Sequence, residues 1–228
     1  MSFNRRHFLG ALGAGSVSMG VSRSTPWPTL PLITPGLGPA LSPAPLPAIT
    51  ATPVVADSAR PALVARALAA LDTHAARITN RSMIGVVDFS AASHVARLQF
   101  VDVHSGRITA EHLVAHGHGS DPDNSGWVER FSNQPGSNAS SSGSFLASDI
   151  YTGKNGRSRR LVGLDPQNSL ALDRGIVIHA ASYVDATMAR TQGRVGRSQG
   201  CFAVSAAAIQ EVLARLGPGC LIYAGKHT

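Results

Sequence analysis

Short runs of alternating hydrophobic and polar positions dominate residues 57–228, and they predict a mostly β domain with a few peripheral α-helices. Helical spacing predicts one amphipathic helix from Asp57 or Ser58, which can cap it, to about Thr79. A second helix is predicted over 205–216, before Gly217-Pro218-Gly219. Strands are predicted at 83–89, 97–103, 107–115, 145–151, 160–164, 176–179 and 220–224, with a hairpin turn at 104–106 and a long loop over 117–144.

The N-terminal residues follow a different pattern. Residues 1–23 contain two adjacent arginines, a Phe-Leu pair and a weakly apolar run followed by a further arginine: Arg5, Arg6, Phe8, Leu9, 11–21 and Arg23. This arrangement is typical of a twin-arginine export signal and predicts a periplasmic or cell-envelope location. The apolar run is shorter than the roughly 20 residues that span a bilayer, so no membrane span is expected after signal removal. Proline-rich residues 24–56 predict an extended linker.

Composition narrows the class of partner. The formal charge of the 228 residues is +7, with 20 Lys and Arg against 13 Asp and Glu, and three of the excess arginines lie in the first 23 residues. The remaining residues contain no basic run, and aromatic residues make up 5%. Both features argue against a nucleic-acid partner. We expect a monomer whose mildly basic surface suits an anionic polymer.

The candidate chemistry lies near the C-terminus. The predicted strand 176–179 ends on His179, and a glycine-rich turn presents Cys201 some distance later. Thiolate is the reactive form of cysteine, and a nearby imidazole can hold the thiol as an ion pair near neutral pH. Gly196 and Gly200 allow a sharp bend and a close backbone approach. Spacing alone leaves catalytic and structural roles equally supported.

The motifs around these residues resemble the YkuD-type L,D-transpeptidases, in particular the murein L,D-transpeptidase catalytic domain proteins. The resemblance covers roughly residues 60 to 226. It is carried by the blocks Val87-Asp88-Phe89-Ser90, Val114-Ala115-His116-Gly117, Phe131-Ser132-Asn133-Gln134-Pro135-Gly136-Ser137, Arg160-Leu161-Val162-Gly163-Leu164, Val177-Ile178-His179-Ala180 and Gly196-Arg197-Ser198-Gln199-Gly200-Cys201. It implies a β-sandwich or partly open barrel over 57–228.

The resemblance also implies a reaction. Cys201 would attack the carbonyl between diaminopimelate and the terminal D-amino acid of a peptidoglycan tetrapeptide stem, with His179 as the base. The thioester would pass to an amine, forming a crosslink, or to water, which makes the enzyme a carboxypeptidase. No cofactor or metal is required. The remaining candidates are the oxyanion and turn residues Gly200, Ser198 and Gln199, and the substrate-binding residues Arg197, Arg194, Tyr183 and His116. Because His116 falls in one of the shared blocks, it is also expected near the site as a polar support.

Three features of this sequence differ from the better-known branch of the L,D-transpeptidases, and they bear on how substrate would be bound. Gln199 stands where that branch has a histidine before Gly-Cys, and Phe202 follows the cysteine where an arginine is expected soon after. Arg197 or Arg194 would have to replace that arginine. Residues 183–190 are inserted between the histidine and the cysteine and predict a helical lid or wall.

Two other functions fit the sequence. His112, His116 and His118 are separated by even numbers of residues, so on a continuous strand they would face the same side. Three imidazoles on one face could bind zinc, as in a zinc-dependent wall peptidase. A non-catalytic peptidoglycan-binding domain of the same fold is the other alternative. Cys220 opens an apolar strand and is expected to be a buried inert thiol. Residues 140–142, three serines, are expected to be plain loop.

Overall fold

Nine strands form one mixed sheet in residues 60–227, the part of the chain that the computed structural model describes. The predicted export signal, the proline-rich linker and the capping residues Asp57 and Ser58 lie outside this part. The helices are α1 (Arg60–Thr73), α2 (Ala186–Gln192) and α3 (Ile209–Arg215). The strands are β1 (Asn80–Asp88), β2 (Leu98–Asp102), β3 (Ile108–His112), β4 (Val114–Ala115), β5 (Gly143–Gly153), β6 (Gly156–Gly163), β7 (Val177–Ala180), β8 (Phe202–Val204) and β9 (Cys220–Gly225).

The sheet curls until its two edges meet. Its strand order is β3-β2-β1-β9-β5-β6-β7-β8-β4, with β1/β9 and β7/β8 parallel and the other pairs antiparallel. The edge strands β3 and β4 are separated in the chain by Leu113 alone. Because consecutive Cα atoms are about 3.8 Å apart, the end of β3 and the start of β4 lie close together, so the two sheet edges approach each other at this point. The mostly β class with a few peripheral helices, expected from the sequence, is therefore confirmed, and its strands form one mixed sheet.

Apolar side chains fill both faces of the central strands. One buried cluster lies on one face of the sheet and includes Phe100, Phe145 and Phe202. A second cluster joins α1 to the opposite face, where Leu71 packs with Ile84. Side chains alternate between the faces of a strand, so β1 contributes to both clusters and is buried continuously over its last five residues.

Several element bounds differ from the prediction. Helix α1 ends at Thr73 rather than Thr79, because residues 74–77 form a turn in which the His74 ring meets the Asp165 carboxylate at 2.9 Å. Ile78 keeps the helical spacing and is buried, but it lies between α1 and β1, where its amide donates to the His74 carbonyl at 3.1 Å. The predicted strand 107–115 is broken at Leu113, where the chain passes from one sheet edge to the other.

The hairpin β5–β6 and the helix α2 were predicted less completely. β5 and β6 extend to a turn at Lys154 and Asn155, well past the predicted 145–151, because exposed polar residues hid the pattern. α2 starts at Ala186, where the Asp185 carboxylate accepts the first free amides, and not at Tyr183. Within residues 60–227, no helix is long and apolar enough to cross a membrane.

Candidate active site

Two neighbouring parallel strands bring Cys201 and His179 to one cavity. His179 in β7 pairs with Ala203 in β8, and Cys201 lies two residues before Ala203. Cross-strand partners face the same side of a sheet, as do residues two apart on an extended chain. Both side chains accordingly line the same cavity, which has a volume of about 870 Å³.

The cavity brings together six of the nine residues that the sequence indicated. These are Cys201, His179, Tyr183, Arg197, Ser198 and Gln199. Gly200, His116 and Arg194 do not line it. The first two are buried behind the cavity wall, and Arg194 directs its guanidinium to the Gln192 carbonyl on the surface at 3.4 Å.

The turn before Cys201 is fixed by hydrogen bonds. The Ser198 hydroxyl donates to the Cys201 carbonyl at 2.6 Å and accepts from the Gly200 amide at 3.1 Å. Gly200 has φ of +112°, and a Cβ there would lie 2.8 Å from the Ala139 carbonyl oxygen, so only glycine fits without strain. Because the Gly200 amide is already occupied, it is not a free oxyanion donor.

The imidazole of His179 has a defined tautomer. Its Nδ1 lies 2.9 Å from the Ala180 carbonyl oxygen, which can only accept, so Nδ1 carries the proton. Nε2 of the neutral ring is left with its lone pair. Burial lowers the pKa of His179, partly offset by the bond to Ala180, and the nearby Lys154 lowers it further. The ring is therefore a neutral base at pH 7.

Cys201 is held as a thiol. Burial raises its pKa, and this effect exceeds the opposing ones of the Val177 amide and of the Arg174 and Lys154 charges. The thiol donates to the Gly175 carbonyl at 3.5 Å. With a raised thiol pKa and a lowered imidazole pKa, the resting pair is neutral. These two pKa shifts favour a neutral resting pair over the ion pair that the sequence allowed, because burial penalises both charges.

His116 belongs to a buried polar network beneath the site. Its Nδ1 accepts from the Arg97 guanidinium at 2.7 Å, and its Nε2–H donates to the Asp121 carboxylate at 3.2 Å. Arg97, His116 and Asp121 are all fully buried. The backbone carbonyl of His116 accepts from the Ser198 amide at 2.8 Å, which connects the network to the cysteine turn. Full burial rules out the substrate contact expected of His116 and leaves a supporting role.

The flanking cavity residues are also anchored. The Arg197 guanidinium donates to the Asp121 carbonyl, which fixes one end of its side chain at the cavity wall. Burial, together with the negative charge that Cys201 would carry, raises the pKa of Tyr183 to about 12. Tyr183 is therefore a neutral phenol. Its Cβ packs where a side chain at Gly196 would have to stand.

The three histidines of the zinc alternative do not converge. His112 pairs with Glu211 at 3.1 Å, His116 is enclosed between Arg97 and Asp121, and His118 contacts the Ser198 carbonyl at 3.2 Å. The strand is interrupted at Leu113, and His118 begins a 3-10 turn. The three histidines therefore do not lie on one continuous strand, and the expected common face does not exist. In residues 60–227, no group of three or more His, Cys, Asp or Glu residues is placed to hold a metal ion.

Some residues of the site were not predicted from the sequence. Ser140, expected to be plain loop, accepts from the Gly117 amide at 3.0 Å and donates to the Gly200 carbonyl at 3.1 Å. Arg174 and Lys154 line the cavity. One sign of such residues is a charged side chain within an apolar segment, such as Arg97 just before β2. The neighbouring sequence, however, does not show which groups such a side chain contacts. Cys220 is a free buried thiol, as expected, and Cys201 is also free.

The structure thus brings a histidine at a strand end and a cysteine in a glycine-rich turn to one cavity. A sequence profile of the L,D-transpeptidase catalytic domain family (YkuD_2) matches residues 56–224. The chain therefore belongs to this family, whose members act on peptidoglycan in the cell envelope. A comparison with curated proteins finds no match.

Solved structures give similar but distant relatives. An L,D-transpeptidase from Mycobacterium smegmatis is 14% identical, with 63% of this chain and 58% of that chain covered and a TM-score of 0.39. One from Xylanimonas cellulosilytica is 15% identical, covering 64% and 62%, with a TM-score of 0.39. The helical cell shape determining protein Pgp2 from Campylobacter jejuni is 10% identical, covering 75% and 57%, with a TM-score of 0.45. The chain thus spans about three fifths of these relatives, and its family assignment rests on the profile.

Proposed function

We propose that this protein is a peptidoglycan L,D-transpeptidase that works through a thioacyl-enzyme on Cys201. The observation that carries the proposal is the β7–β8 register, which directs Cys201 and His179 into one cavity. The free Nε2 of His179 supports a base role, and the family supplies the substrate class, peptidoglycan stem peptides.

In the first half-reaction, the Cys201 sulfur attacks the carbonyl carbon between diaminopimelate and the terminal D-amino acid of a donor tetrapeptide. The thiol proton passes to Nε2 of His179 as the carbon–sulfur bond forms. The carbon–nitrogen bond then breaks, and His179 returns the proton to the leaving amine. Because the resting pair is neutral, proton transfer accompanies the attack and is not completed beforehand.

In the second half-reaction, an amine from a neighbouring stem attacks the thioester. His179 takes a proton from this amine, the carbon–sulfur bond breaks, and the sulfur recovers its proton. The product is a crosslink between two stems. Water in place of the amine gives a carboxypeptidase with the same residues.

The oxyanion of each tetrahedral intermediate needs hydrogen-bond donors near Cys201. The Gly200 amide is occupied by Ser198, which leaves the amides of Gln199 and Cys201 in the same turn as the donors we propose. Ser198 then serves to shape the turn, since its hydroxyl is engaged on both sides. Gln199 also lines the cavity through its exposed side chain.

The test is incubation of the purified protein with tetrapeptide muropeptides, followed by mass spectrometry of protein and products. We expect a thioester on Cys201 lacking the terminal D-amino acid, together with a crosslinked dimer or a tripeptide. Cys201→Ala should abolish both, and His179→Gln should slow acylation by about 10²–10⁴-fold, the usual contribution of a general base. Cys220→Ala is the matched control and should acylate normally, because Cys220 is buried in β9.

The two alternative functions are separate outcomes of this experiment. Binding to sacculi without acylation or product would favour the non-catalytic domain. Product formation that a chelator stops and Cys201→Ala leaves intact would favour the zinc peptidase, although its histidines point to different partners.

We also propose export by the twin-arginine route, on the basis of residues 1–23. A fusion of these residues to a reporter that functions only after export tests this. Replacing both Arg5 and Arg6 by lysine should keep the reporter in the cytoplasm. Continued export of the double variant would contradict the proposal.

A further inference from the structure

The segment just before β7 surrounds the Cys201 sulfur on one side. The Gly175 carbonyl accepts from the thiol at 3.5 Å, and the Val177 amide is placed to donate to the sulfur once it is deprotonated. Gly175 has φ of +66°, which lets the chain turn at this point. Residues 175–177 therefore offer a backbone acceptor to the neutral Cys201 thiol and a backbone donor to its thiolate.

Arg174 opens this segment and is held by neutral groups. Its guanidinium donates to the Ser132 carbonyl at 2.6 Å, the Ser141 hydroxyl at 2.6 Å, the Ser137 hydroxyl at 3.2 Å and the Ala139 carbonyl. Four such bonds fix the cation in one orientation at the cavity wall.

Within residues 60–227, no carboxylate oxygen lies within 4.0 Å of the Arg174 guanidinium. Taking a cation partly out of water is costly unless a negative charge compensates it. The cavity contains one group that acquires such a charge during the reaction, the Cys201 sulfur. Arg174 and Cys201 line the same cavity and interact electrostatically.

We propose that Arg174 supplies the positive charge that stabilises the Cys201 thiolate as it forms, while residues 175–177 provide its backbone partners. This inference rests on the proposed role of Cys201 as the nucleophile. Arg174 acts through the sulfur and does not itself exchange a bond with the substrate. It makes deprotonation possible at a site whose burial opposes it.

Other charged or titratable groups also face the sulfur. Lys154 reaches the cavity from the β5–β6 turn, but it is exposed, so solvent screens its charge. His179 lines the cavity from β7 and Tyr183 from the segment after β7. The remaining charged or titratable groups on the cavity wall are His118, Tyr151, Asp173 and Arg197. Of the two cations that lower the Cys201 pKa, Arg174 is the larger contributor and the more buried.

The test is the rate of Cys201 alkylation by iodoacetamide as a function of pH, which needs no substrate. Arg174→Gln should raise the apparent Cys201 pKa and slow alkylation near pH 7.5 by about three- to tenfold, a shift of up to about one pKa unit. Arg174→Lys keeps the charge but loses most of the hydrogen bonds, and its profile should stay close to that of the parent. An unchanged profile in folded Arg174→Gln, or an Arg174→Lys profile shifted as far as that of Arg174→Gln, would overturn the inference.

A second pair of variants leaves Arg174 in place. Ser137→Asp puts a carboxylate on the guanidinium and should slow alkylation, whereas Ser137→Asn, of the same shape, should not. Equal profiles for this pair would contradict the inference even if Arg174→Gln failed to fold. Failure of the proposed function is seen separately, as a parent protein that alkylates normally but forms no acyl-enzyme with muropeptides.

Discussion

Among the described residues, the imidazole of His116 is expected to make the largest histidine contribution to acid destabilisation of this fold. The ring is fully buried between the Arg97 guanidinium and the Asp121 carboxylate. Burial, followed by the charge of Arg97, lowers the pKa of His116 from 6.5 to about 4. The unfolded chain keeps the ordinary value and so binds more protons than the folded chain between these two pKa values. Stability is therefore fully present above about pH 6.5 and is lost as the pH falls toward about 4.

The size of the effect follows from the shift. A difference of about 2.5 pKa units, at about 1.36 kcal/mol per unit, corresponds to a loss of about 3 kcal/mol in the free energy of unfolding. This is a large part of the roughly 5–15 kcal/mol that stabilises a typical domain. Burial opposes ionisation of Asp121, but hydrogen bonds from Ser125, Gly126 and His116 outweigh it and lower the pKa of this carboxyl. Its own protonation therefore destabilises the fold at more acid pH.

Urea unfolding at a series of pH values between about 7 and 4 measures this loss. The comparison is His116→Gln, because a glutamine can accept from Arg97 and donate to Asp121 without titrating. That variant should lose about 3 kcal/mol less than the parent over the interval. His104→Gln, in the exposed β2–β3 turn, is the control and should behave as the parent does. Parallel stability curves for the parent and His116→Gln would refute the reasoning.

Three further predictions concern other parts of the site. Arg97→Met removes a buried donor of four hydrogen bonds and should cost about 3–5 kcal/mol of unfolding free energy, measured in urea; a cost below about 1 kcal/mol would contradict the network. Gly200→Ala should lower the thermal unfolding midpoint more than Gly106→Ala does, because both glycines have positive φ but a Cβ would meet close atoms only at Gly200. Equal losses would show that backbone strain alone matters. Lys154→Gln should raise KM for an anionic stem peptide about threefold with a smaller change in kcat, and steady-state kinetics showing the reverse would place Lys154 in the chemical step.

The sequence determined the elements whose signals are local. Alternation and glycine-rich turns predicted a mostly β fold, and most strands lie where these patterns placed them. The pairing of a strand-end histidine with a turn cysteine was also visible, because a sharp turn needs glycine at Gly200 and a buried strand needs the apolar residues before His179. The predicted ends of strands were wrong where exposed residues interrupt the alternation of apolar and polar positions, as in the exposed part of the hairpin β5–β6.

Only the tertiary structure decided how polar side chains are shared among distant segments. Arg97 and His116 are 19 residues apart, and Arg174 reaches groups 33 to 42 residues away. Closure of the sheet at Leu113 separated His112 from His116, which a continuous strand would have placed on one face. Periodicity reports the face on which a residue lies, whereas the partner of a buried charge depends on which segments the fold brings together. The proposed nucleophile was therefore visible in the sequence, whereas the charged groups that share its cavity were not.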